Sequence, residues 1–161
     1  MAVSGAGGGP LDPEARVPTL FGVALTFADH LGASDLLPAR PDAPLFGDLD
    51  AGLAARIEPG SVLVAGHRLG HGPGGAAAAR ALADAGFVAV VCASFADGFD
   101  EHCLAAGLAP LEVDAPSIFH TGQRVRMNCE AGTIANLSSG DRQPIRNVTE
   151  ALLDRLRRVL G

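Results

Sequence analysis

Lysine is missing from the 161 residues, so every one of the 12 basic side chains is arginine. That absence excludes Schiff-base chemistry through a lysine amine. Tryptophan and tyrosine are also missing, leaving seven phenylalanines as the aromatic complement. No apolar run approaches the roughly 18 residues that a membrane span needs. Hydrophobic residues nonetheless make up 48% of the chain and mean hydropathy is +0.26, an excess that a partner-covered face would account for. Cysteine is sparse: Cys92, Cys103 and Cys129 are odd in number and widely spaced, neither a disulfide framework nor a Cys-x-x-Cys metal site, and they read as buried thiols. The start, Met1-Ala-Val-Ser-Gly-Ala-Gly-Gly-Gly9, has neither a basic region nor an apolar region of a secretory signal, which predicts a cytoplasmic protein. Asn136-Leu-Ser138 and Asn147-Val-Thr149 fit the glycosylation sequon, without consequence in such a compartment. Formal net charge is −6, the sequence pI is near 5.2, and the arginines are scattered along the chain. A nucleic-acid partner is therefore not expected, because phosphate recognition needs clustered cations.

What is present points to one α/β domain. Residues 1–16 are rich in Gly, Ala and Pro without periodicity and read as a disordered tail, leaving 17–161 as a single domain. Phe21, Val23, Leu25 and Phe27 alternate as in a half-buried strand. Leu49, Leu53, Ala54 and Ile57 fall at helical spacing and predict a short helix before the Pro59-Gly60 turn. Next, Ser61–Ala65 and Phe87–Cys92 are nearly continuous in apolar residues, as parallel strands covered on both faces are, with a helix over 76–85 between them. The unit repeats as a helix over 95–106 and a strand over 108–113. Alternation of Val125, Met127 and Cys129, the turn at Glu130-Ala-Gly132 and then Ile134 predict a β-hairpin. Thr149 caps an amphipathic helix over 150–160.

Between the two apolar strands runs Val64-Ala-Gly-His-Arg-Leu-Gly-His-Gly-Pro-Gly-Gly75-Ala, a glycine-rich loop entering an alanine-rich helix. It is not a P-loop, because no Gly-Lys-Ser/Thr follows, and it has no dinucleotide-binding register. Together with Phe27-Ala-Asp-His-Leu31, Leu36-Leu-Pro-Ala-Arg40 and Ala93-Ser-Phe-Ala96, the loop resembles the small subunit of isopropylmalate dehydratase, the swivelling domain of the aconitase family. The resemblance covers about residues 20–160 and implies an α/β architecture of the swivelling β/β/α type. It further implies a large aconitase-type partner subunit carrying a 4Fe-4S cluster, no cofactor in this chain, and a small carboxylic acid as substrate.

The family loop reads Gly-x-x-x-Gly-x-Gly-Ser-Ser-Arg-Glu. Gly66, Gly70 and Gly72 keep its glycines, but Pro73, Gly74 and Gly75 replace Ser-Ser-Arg and Ala76 replaces Glu. In the resembled family a loop serine acts as base and the arginine clamps a carboxylate, roles that Gly and Pro cannot fill. Asp29-His-Leu-Gly-Ala-Ser34 keeps only the first Asp of the family's Asp-Asn-Ile-Asp-Thr-Asp. Ser94-Phe-Ala-Asp-Gly-Phe99 puts Asp97 where the family has Arg, while Asp29, Arg40, Ser94 and Phe95 match. Backbone N–H groups from Gly70 to Ala77 could still hold an anion, so Gly72, Gly74, Gly75 and Ala76, with Arg40 and Ser94, are the candidate substrate-binding residues. The same glycines could instead only shape a turn. His30, His67 and His71 stand at positions that line the family's cleft and are the candidate catalytic groups, expected to converge with Arg40 at the helix start. They could equally be exposed loop residues, and His102 and His120 read as ordinary surface positions. Three readings follow: a diverged hydro-lyase or isomerase subunit; an enzyme with a repurposed histidine-lined cleft in specialised biosynthesis; and a non-catalytic scaffold.

Overall fold

A computed structural model describes residues 16–27, 31–37 and 51–160. Seven strands form one sheet in the order β4-β3-β2-β1-β5-β6-β7: β1 (Leu20–Thr26), β2 (Ser61–Val64), β3 (Phe87–Cys92), β4 (Ala109–Glu112), β5 (Arg124–Asn128), β6 (Thr133–Asn136) and β7 (Arg142–Pro144). β1 to β4 are parallel and adjacent, whereas β5 to β7 run antiparallel. The helices α1 (Ala51–Ala54), α2 (Gly75–Ala85) and α3 (Phe99–Ala106) make the parallel crossovers, and α4 (Glu150–Leu160) closes the chain.

Each face of the sheet has its own core. On one side Leu25, Leu63, Val90 and Cys92 meet Ala78, Ala79 and Leu82 of α2 and Phe99 and Cys103 of α3. On the other, Val62, Val64, Val91, Leu111, Val125, Met127 and Ile134 meet Phe119 and α4's Leu153 and Leu156. All four residues of β2 are buried, which is why Val62, Leu63 and Val64 are apolar without alternation; the buried Ser61 hydroxyl donates to the Glu58 carbonyl at 2.8 Å. The bounds of β3 and α4 coincide with those read from the sequence.

Three elements differ. The helix expected from residue 95 begins at Phe99, because the Ala96 N–H donates to the Leu69 carbonyl at 2.9 Å and residues 95–96 pair with the glycine loop instead. A single-turn 3-10 helix, Ala33–Leu36, occupies part of the expected turn; its start is held by the Asp35 carboxylate, which accepts the Gly32 N–H at 2.9 Å. β7 is a three-residue edge strand ending in Pro144, a length and composition that carry no strand signal. Both sequon asparagines are structural. The Asn136 amide donates to the Ile118 carbonyl and to Gln123, and Asn147 bridges the Glu112 N–H and the Pro110 carbonyl along the exposed edge of β4. The disordered tail expected over 1–16 lies, apart from Arg16, outside the described residues.

Candidate functional site

Parallel strands leave a crevice at their carboxyl ends, and ligand sites of open α/β sheets form there. Here that crevice is a cleft of about 400 Å³ lined by Thr26 and Phe27 after β1, Val64 to His67 after β2, Ala93 after β3, and Asp114 to Ser117 after β4. Thr26 is structural: its hydroxyl donates to the Phe119 carbonyl at 2.8 Å and its N–H donates to Thr121 Oγ1 at 2.9 Å.

Of the glycine loop, Gly66 and His67 line the cleft, and the stretch that follows is stitched to segments on both sides. The Gly70 N–H donates to the Leu31 carbonyl and the Ala33 N–H to the His71 carbonyl, both at 2.8 Å. Across the loop, the Leu69 N–H donates to the Ser94 carbonyl at 3.0 Å and the Arg68 N–H to Ser94 Oγ at 2.9 Å. The loop thus extends the parallel ladder beyond the strand ends, with bridges Gly32–His71 and Leu69–Phe95. Gly70 must be glycine: its φ is +85°, and a Cβ would fall 2.2 Å from Cγ of Phe99. Gly74 starts α2 in the left-handed region with no side-chain cap.

The candidate residues separate in this frame. His67 is exposed and lines the cleft. His71 is half-buried, and its ring packs on Gly32, where a Cβ would stand 2.9 Å from Cε1. Ser94 sits at the foot of the loop, its oxygen accepting the Arg68 N–H. Gly72, Gly74, Gly75 and Ala76 lie where the loop enters α2 and offer only backbone and a methyl group. His30 and Arg40, with Asp29, lie outside the described residues.

His102 of α3 is exposed, as expected of a surface position, and its ring lies beside the start of α2, with Cδ2 3.0 Å from where a Cβ on Gly75 would stand. Sequence reasoning missed two contributors. Asp114 enters the cleft wall from the segment after β4; its position past a parallel strand was the available signal. Arg146 had none. It donates to Asp114 at 3.0 Å, to Glu112 at 3.4 Å and to the Ala93 carbonyl at 2.6 Å, tying two cleft walls together.

Cys92 and Cys103 belong to one core and Cys129 to the core on the opposite face. Burial pushes all three thiols up, Cys129 to about 11. A cubane cluster needs several thiolates at one point, so these residues do not fit one. Among the described residues no group of His, Cys, Asp and Glu is arranged to hold a metal ion. No helix there is long and apolar enough to cross a membrane.

A doubly covered parallel sheet continued by an antiparallel half, with a glycine loop entering the cleft, defines the class of the aconitase C-terminal domain, and that family's profile matches residues 50–116. The chain belongs to the family of 3-isopropylmalate dehydratase small subunits. It is 31% identical over 136 residues to the small subunit of Deinococcus deserti, covering 78% of this chain and 75% of the relative. To that of Pyrobaculum neutrophilum it is 32% identical over 145 residues, covering 82% and 89%. Its fold matches a crystal structure titled 3-isopropylmalate dehydratase, from Methanocaldococcus jannaschii, with a TM-score of 0.70 at 23% identity over 79% of this chain and 81% of the other. The α/β architecture expected from the sequence is therefore the one observed, and its relatives are hydro-lyase subunits.

Proposed function

We propose that the chain is a diverged small subunit of an aconitase-type hydro-lyase or isomerase, acting on a small carboxylic acid with a large subunit that carries the 4Fe-4S cluster. The observation that carries this reading is the cleft at the strand ends, which the glycine loop enters with Gly66 and His67, in a chain that has Gly66, Gly70 and Gly72 in place but Pro73, Gly74 and Gly75 where the resembled family has Ser-Ser-Arg. This chain's own part is binding and orientation. The backbone N–H groups of Gly72, Gly74, Gly75 and Ala76 lie at a helix start, which favours an anion, Ser94 fixes the loop, and Arg146 holds Asp114 and Ala93 in the cleft wall. Arg40 would pair a substrate carboxylate. His67, in the cleft wall, is the residue type suited to move a proton there.

The loop departures imply a substrate other than that of the standard members, since losing a base and a clamp removes several orders of magnitude in rate. Reconstituting the chain with the large subunit from the same source, and assaying isopropylmalate and citrate beside other small hydroxy acids, tests the reading. The expected result is weak turnover of those two acids, stronger turnover of another, and loss of activity in His67→Ala with an unchanged melting temperature. Turnover of isopropylmalate at the rate of a standard enzyme would overturn the divergence, and no turnover of any acid would leave the scaffold as the better account.

A further inference from the structure

Residues opposite one another in an antiparallel ladder point to the same face. Phe21 lies opposite Arg126, Arg126 opposite Ala135, and Ala135 opposite Arg142, so these four make a row across β1, β5, β6 and β7. In the next row Val23 lies opposite Arg124, whose carbonyl accepts the Leu137 N–H at 2.8 Å. Arg56, just past α1, reaches the same side, its Nη2 lying 2.9 Å from where a Cβ on Gly122 would stand. The reverse face of these strands buries Val125, Met127 and Ile134.

A wet face on an antiparallel sheet is ordinary when its outward residues are polar. This one is not ordinary, because Phe21 is 59% and Leu137 41% exposed among the arginines. Arg56, Arg124, Arg126 and Arg142 make no ion pair with any described residue, whereas Arg146, Arg155 and Arg157 all do. The arginines that are dispersed in sequence are thus gathered in space, four of 12 on one face of a chain of net charge −6. Guanidinium groups match carboxylates in a bidentate geometry, and arginine and aromatic side chains are enriched at the centres of protein interfaces.

We propose that this face, centred on Phe21, Arg124 and Arg126, docks the large subunit through a protein surface that presents carboxylates around an apolar patch. The assignment rests on the pairing proposed above. Charge complementarity selects the occupant: a bare polyphosphate would satisfy the arginines but leave Phe21 and Leu137 in water.

The test is the affinity for the purified large subunit, measured by titration calorimetry at low and high salt. It compares the natural chain, Arg124→Glu/Arg126→Glu, Phe21→Ser, and Arg80→Glu on the exposed side of α2 as a control. The double variant should bind roughly 100-fold more weakly, as reversing interfacial charge pairs does. Phe21→Ser should also weaken binding, Arg80→Glu should not, and added salt should weaken the natural chain more than the double variant. Natural affinity in the double variant and in Phe21→Ser would overturn the surface assignment while leaving the pairing intact. Failure of the natural chain to bind the large subunit would overturn the pairing, and this assignment with it. Self-association of the natural chain lost in the double variant, or binding of duplex DNA lost in it, would overturn the proposal in favour of a second copy or a phosphate backbone.

Discussion

Two glycines of one loop separate conformational from steric demand. Gly70 and Gly72 have nearly the same φ, +85° and +86°, but a Cβ on Gly70 meets the Phe99 ring whereas one on Gly72 meets nothing within 4 Å. Gly72→Ala should therefore lose about 1 kcal/mol, the left-handed strain alone, and Gly70→Ala about 2–4 kcal/mol, because overpacking adds to it. Urea denaturation of the two variants checks this, and equal losses would mean the Phe99 ring moves aside freely. The same pair marks what could be read from sequence. The glycine spacing identified the loop, but nothing in the string says that Gly70 is the one wedged against α3. Likewise the sequence set His30, His67 and His71 together, whereas the placing of His67 in the cleft and His71 against Gly32 depends on bonds made by residues 31 and 94, far away in the chain.

At the scale of elements, α4 is anchored to the β5–β6 hairpin by an ion pair that reports on pH. Arg157 donates to both oxygens of Glu130, at 3.0 and 2.8 Å, and Glu130 also accepts the Val17 N–H. The Arg157 hydrogen bonds hold the Glu130 carboxyl at about 2, below its ordinary 4.5. A carboxyl whose folded value is depressed contributes stability that is present above about pH 4.5 and is lost as pH falls toward about 2. Unfolding free energy should accordingly drop across that window. Glu130→Gln should flatten the drop and lower stability at neutral pH; an unchanged acid profile would assign it to other carboxylates. Element bounds were legible where packing repeats in sequence, as in the apolar run of β3 and the helical stripe of α4. They were not where a partner far along the chain decides: residues 95–96 are taken by Leu69 and so delay α3, and β7 forms only because β6 offers an edge.

For the whole molecule, parallel strands with crossovers on one side and an antiparallel extension on the other put unlike surfaces on one sheet: the first half ends in a cleft, the second in an arginine face. The class of fold was legible because the β2-α2-β3 unit keeps its motif, but the arginine face was not, since Arg56, Arg124, Arg126 and Arg142 become neighbours only through strand register.

The stitched loop has a consequence for motion. Loops around active sites usually open locally, at a free-energy cost well below that of global unfolding. Here the amides of Leu69 and Gly70 are bonded to segments that continue β3 and β1, so freeing them means unzipping the end of the sheet. Hydrogen–deuterium exchange at these two amides should be nearly as slow as at Leu63 in β2, and fast exchange would show a loop that breathes by itself. With Leu69 and Gly70 fixed to the sheet, this stretch of the loop cannot act as a flap of its own and moves only with the sheet end it is bonded to.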